Sequence, residues 1–110
     1  MYSLKKKFGL RVKELRKALK MTQDQLAEKM NMDTPNLCRI ENGTHFPQTK
    51  NLEKLAQILN VQVRELFDFE HIKTKEELTE EIKHFITEAN IADLEFLAKV
   101  VRGLKEHKGK

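Results

Sequence analysis

The stretch from Thr22 to Gly43 constrains this chain most, because it holds two apolar-periodic segments, each too short to be stable alone in water. Leu26, Ala27 and Met30 share one face of the first segment, and Leu37 and Ile40 share one face of the second. Thr22, followed three residues later by Gln25, forms a capping box that opens the first helix. Asn31 stands where the chain must turn through a left-handed conformation, which Asn tolerates best after Gly. The second helix opens at Asp33 or Thr34, with Pro35 in its first turn, where the missing N–H costs nothing. Because proline disfavours helical geometry at the residue before it, Thr34 is the expected cap. Two short helices joined by so tight a turn must cross steeply, with Ala27 where a larger side chain would hold them apart and Met32 plugging the turn. Leu37 and Ile40 then seat the second helix on a core, which leaves Thr34, Pro35, Asn36 and Arg39 pointing away from the body.

The flanking sequence supplies the rest of that core. Phe8, Val12, Leu15 and Leu19 recur at helical steps on a first helix beginning near Ser3 or Leu4, whose other face is basic. Leu52, Leu55, Ala56 and Leu59 face inward on a fourth helix from about Thr49, which Asn60 stops, and a brief fifth helix spans Val63 to Phe67. From Glu70 the composition shifts. Leu78, Ile82, Phe85, Ile86 and Ala89 mark one amphipathic stretch, and Leu94, Leu97, Ala98, Val101 and Leu104 mark another. The expected fold is all-α: a five-helix domain over 1–69, then a C-terminal helical hairpin over 70–110. Neither hairpin stretch is stable alone, so each must pack on its neighbour or on a partner.

The distribution of charge says more than its sum of +4. Residues 1–20 carry eight Lys/Arg against one acid, for +7, whereas residues 70–110 carry eight Lys/Arg against nine acids, for −1. A basic front and a near-neutral back suggest a polyanion-facing half and a half with another task. The single cysteine, Cys38, cannot close a disulfide within the chain, and no apolar run approaches a bilayer-spanning length or a secretory leader, so a cytoplasmic protein that does not engage a membrane is expected. The four His are dispersed, and there is no metal-ligand spacing, cysteine pair, glycine-rich phosphate loop or nucleophile grouping. No catalysis, metal or cofactor is expected.

Leu15-Arg16, Thr22-Gln23, Leu26-Ala27, Ile40-Glu41-Asn42-Gly43, Pro47 and the run Leu55 to Val61 agree at several independent spacings. Over about residues 8–68 the chain resembles the Cro and phage-repressor helix-turn-helix family, often called XRE. Lys20 and Asn31 stand where that family usually has Gly, and Pro35 where a base-reading polar residue is common. The resemblance implies a DNA-binding regulator, with the helix at about 33–41 in the major groove. Thr34, Asn36 and Arg39 would read bases, with Asn suited to adenine and Arg to guanine, while Pro35 could touch only a thymine methyl. Thr22 and Gln23 would hold a phosphate at the start of the second helix. Asn42 and Thr44 would form a second phosphate clamp, with His45 and Lys50 as weaker candidates. Cys38 falls where the family has a small residue near the DNA backbone, and is read as a small packing residue rather than a redox switch. Arg16 and Glu41 would form a structural ion pair.

One recognition helix offers too few contacts for specificity, so the leading reading is a repressor or activator that binds a two-fold operator on double-stranded DNA as a homodimer. Leu78, Ile82, Phe85, Ile86, Leu94, Leu97, Val101 and Leu104 would form its dimer element. Alternatively, the hairpin covers the core of its own chain or receives a protein antagonist. A rival of another class is a protein-interaction module, an antitoxin or bridging-factor-like adaptor, whose main surface would be residues 70–110. The operator, the regulated genes and any inducing signal are not written in the sequence.

Overall fold

A computed structural model describes residues 1–108. It is helical throughout, with no strand among the described residues. Helix α1 (Leu4–Ala18) is capped by the Ser3 hydroxyl, which accepts the Lys6 N–H at 3.2 Å. Helix α2 (Gln23–Met30) opens on the reciprocal Thr22–Gln25 box and closes on Asn31, whose φ of 57° is the left-handed turn. Lys20 (φ 58°) and Asn60 (φ 58°) make the same excursion after α1 and α4. Helix α3 (Thr34–Glu41) is followed by α4 (Thr49–Ile58). The brief fifth helix, Val63–Phe67, is a 3-10 turn rather than an α-helix.

The cap of α3 is Asp33, not Thr34. Asp33 holds the extended conformation of a cap, and its carboxylate accepts the Asn36 N–H at 2.9 Å. Thr34 therefore enters the helix one residue before Pro35, and its hydroxyl is free for another bond.

The core is buried around Phe8 and Val12 of α1, Leu26, Ala27 and Met30 of α2, Leu37 and Ile40 of α3, Leu55 and Ala56 of α4, then Leu59 and Leu66. Leu15, Met32 and Leu52 pack against it from partly buried positions. Leu19 does not join it: α1 ends at Ala18, and the turn at Lys20 carries Leu19 outward to 46% exposure. Two glycines set how closely α1 meets α3. A Cβ on Gly9 would collide with the carbonyl oxygens of Ile40 and Glu41, and one on Gly43 (φ +86°) would lie 2.8 Å from the Lys6 Cα.

Two compact units divide the chain, the first covering Met1–Thr74 and the second beginning at Lys75. The first extends five residues past the expected 1–69 because its tail stays attached. Phe69 packs on the core, and His71 Nε2 lies 2.8 Å from the Glu14 carboxylate on α1. The second unit holds α5 (Lys75–Glu88) and α6 (Ile91–Lys108). No described residue of either helix is fully buried, so their apolar faces are only partly covered. Leu78, Ile82, Phe85, Ile86, Val101 and Leu104 are exposed, Leu94 and Leu97 are half-buried, and Ile91, Phe96 and Val100 of α6 are exposed as well. Among the described residues, no helix is long and apolar enough to cross a membrane.

Candidate nucleic-acid interface

Helix α3 presents one face to the core through Leu37 and Ile40, and its helical period turns Thr34, Pro35, Asn36, Cys38 and Arg39 elsewhere. Pro35 and Cys38 are exposed, while Thr34, Asn36 and Arg39 are partly buried. An Arg39 Nη2 donates to the Asn36 Oδ1 at 3.0 Å, one helical turn away, so the two side chains stand together. The Thr34 hydroxyl donates to the Asp24 carboxylate of α2 at 2.7 Å.

Two shallow grooves flank this face. One is lined by Lys6, Leu10, Lys13, Gln23, Cys38, Glu41 and Asn42, which brings the basic face of α1 beside the start of α2 and the end of α3. The other is lined in part by Asn36, His45, Phe46, Lys50 and Asn51, beyond the turn that follows α3. That turn is rigidly tied: the N–H groups of Thr44 and His45 both donate to the Arg39 carbonyl, at 2.9 and 3.1 Å. The Thr44 N–H also donates to the Asn42 side chain at 3.0 Å. Asn42, Thr44, His45 and Lys50 are exposed.

Arg16 and Glu41 lie beneath the surface. The Arg16 Nε and an Nη2 donate to the two Glu41 carboxylate oxygens at 2.7 and 3.0 Å, with both residues more than nine-tenths buried. The remaining Arg16 fork donates to the Met21 carbonyl at 2.8 Å, which pins the α1–α2 turn. Gln23 is drawn into the same network, its Nε2 donating to Glu41 at 2.9 Å. One chain of bonds thus runs from α1 through the end of α3 to the first residue of α2.

Cys38 is exposed on the groove with Lys6 and Lys13 and packs no core, because its helical position lies outside the arc of the buried Leu37, Ile40 and Glu41. The sequence reading missed three contributors to this surface. Lys6 and Lys13 could have been singled out from the run of positive charge on α1, once the face opposite Phe8 and Val12 was matched to the outer side of α3. Asp24 carried no signal, since its contact spans the turn and depends on the crossing angle of α2 and α3. Among the described residues there is no grouping of His, Cys, Asp and Glu that could hold a metal ion.

Residues 12–66 match the family model described as Helix-turn-helix, HTH_3. An immunity repressor protein of Bacillus phage phi105 is 44% identical over 55 residues, which cover 50% of this chain and 38% of that protein. The chain therefore shares well under half the length of that relative. The crystal structure of the restriction-modification controller protein C.AhdI from Aeromonas hydrophila superposes with a TM-score of 0.57 at 36% identity, covering 60% of this chain and all of that one. The structure of SinR, a master regulator for biofilm formation, in complex with DNA superposes with a TM-score of 0.52 at 34% identity, covering 56% of this chain and 98% of that one.

Proposed function

The chain belongs to the helix-turn-helix family, and from that premise we propose that it is a sequence-specific DNA-binding transcriptional regulator, acting as a repressor on a two-fold operator. The observation that carries this reading is the outer face of α3, where Asn36 and Arg39 are bonded side by side between two grooves that gather Lys6, Lys13, Gln23 and Asn42 on one flank and His45 and Lys50 on the other. A helix with base-matching side chains at its centre and cations along both edges suits a major groove walled by phosphates. Thr34, Asn36 and Arg39 are the base readers, with Pro35 placed to meet a thymine methyl. Thr22, Gln23, Asn42, Thr44, His45 and Lys50 hold phosphates, and Cys38 lies against the DNA backbone. The repressor assignment is supported by the relative named an immunity repressor protein. A cytoplasmic location follows from the target, and the activity is binding without catalysis.

The protein acts as a homodimer joined through the second unit. The apolar side chains of α5 and α6 stand about half exposed, so covering Leu78, Ile82, Phe85, Ile86, Val101 and Leu104 gives on the order of 5 to 10 kcal/mol gross. That is of the size needed to offset association, about 4 to 15 kcal/mol. The same faces would suit a protein antagonist, and they are the feature that favours the rival reading of an antitoxin or adaptor. A salt titration of binding to random DNA separates the two: steep weakening with salt is expected of a phosphate-contacting protein, and binding indifferent to salt would favour the rival. Selection of sites from a random pool should then return an inverted repeat.

A further inference from the structure

Resting on the reading of α3 as the base-reading helix, we infer that Asp24 is a positioning residue that fixes the hydrogen-bond polarity of Thr34. At the base pair facing Thr34, α3 then prefers a base offering an amino donor in the major groove, adenine or cytosine. The Thr34 hydroxyl has one proton to give and two lone pairs to accept with. A carboxylate can only accept, so the 2.7 Å bond to Asp24 consumes the proton and leaves the hydroxyl an acceptor toward the groove. Because Asp33 rather than Thr34 accepts the Asn36 N–H, neither Thr34 lone pair is spent on capping the helix. Asp24 itself lies in the first turn of α2, where the positive end of the helix favours a carboxylate. Adenine and cytosine present amino groups in the major groove, whereas guanine and thymine present carbonyl oxygens that would face the Thr34 lone pairs. An acid set among phosphate-facing cations costs affinity for every sequence alike, and here it confers discrimination at one position.

The test is selection from a random DNA pool, followed by binding to the selected site and to its single-base variants, with the intact chain and with Asp24→Ala, Thr34→Val, Thr34→Ser and the Asp24→Ala/Thr34→Val double variant. The intact chain and Thr34→Ser should favour adenine or cytosine over guanine or thymine at one position of each half-site. Asp24→Ala and Thr34→Val should each reduce that ratio about three- to tenfold, the worth of one hydrogen bond. The double variant should lose no more than either single one, since both remove the same interaction. Asp24→Ala should also tighten binding to random DNA, through the loss of a repelling charge, without involving the ratio. A folded Asp24→Ala protein with an unchanged ratio, additive losses in the double variant, or a preference for guanine or thymine would each overturn the assignment while leaving the DNA-binding reading intact. Failure of the intact chain to enrich any sequence would instead sink both.

Discussion

Glu41 accepts two bonds from Arg16 and one from Gln23 within the buried network beneath α3. Replacing it with Ala strands the Arg16 guanidinium out of reach of water, so Glu41→Ala should cost about 3 to 5 kcal/mol. Glu41→Gln keeps an acceptor and the volume and should cost less; thermal melts of the two variants would order them. A melting point untouched by Glu41→Ala would mean that the pair contributes nothing to stability. Gly9 makes a contrasting case, since Ala is the better helix former by about 1 kcal/mol. Its Cβ would nevertheless meet the Ile40 and Glu41 carbonyl oxygens, which cannot swing aside as a side chain can. Gly9→Ala should therefore destabilise by about 3 kcal/mol or more in denaturant titration, and a stabilised variant would show that α1 and α3 can separate at little cost.

The proposed roles fall on different helices, base reading on α3 and a phosphate contact at the first residue of α2. Arg39→Ala and Asn36→Ala should each cost about 1 to 3 kcal/mol on the preferred site and little on random DNA, while Gln23→Ala should weaken all sequences nearly equally. Competition binding against scrambled sites reads the difference, and an unchanged site profile for Arg39→Ala would remove Arg39 from the base readers. Helix α1 has its own electrostatic tie to the segment after the 3-10 turn. Burial works to raise the pKa of Glu14, but hydrogen bonds and charge from His71 and Arg11 outweigh it and hold the carboxyl below its ordinary value. A carboxyl whose folded pKa is depressed stabilises above its unfolded value and loses that contribution as pH falls through the folded one. The stability gap between the intact chain and Glu14→Gln should thus be present near neutrality and close in strong acid. Both side chains of the Glu14–His71 pair are about half exposed, so the gap should be small and should shrink in salt. A gap that widened in acid would contradict this sign.

The first unit has a buried core, and the second has no buried residue among those described. Truncation after Thr74 should give a folded monomer by light scattering, with weak affinity typical of a half-site. The intact chain should dimerise and bind an inverted repeat with half-sites about 10 base pairs apart, because a two-fold axis must set the recognition helices about 34 Å apart on one face of DNA. Cutting at Thr74 rather than Phe69 keeps the His71–Glu14 contact, so a loss of dimerisation could not be ascribed to damage in the first unit. A truncated protein that stayed dimeric would take the dimer element away from α5 and α6.

Caps and left-handed turns depend on neighbours a few residues away, so Thr22 with Gln25, Asn31 and Pro35 could be placed from spacing alone, whereas the cap of α3 falls on Asp33, one residue before the expected Thr34. The sequence by itself also determined which faces of α1 to α4 point inward, with Leu19 as the exception at a helix end, where periodicity no longer applies. Family resemblance pointed to Arg16 and Glu41, 25 residues apart, but their two-pronged contact and the inclusion of Gln23 are properties of how α1, α2 and α3 cross. The same crossing decided that Thr34 turns to Asp24, that Cys38 lies open beside Lys6 and Lys13, and that Gly9 must carry no side chain. Local patterns fix local hydrogen bonds because both ends of each bond lie within one turn of chain. Contacts between helices depend on crossing angles and separations set by the whole core at once, which no local pattern encodes.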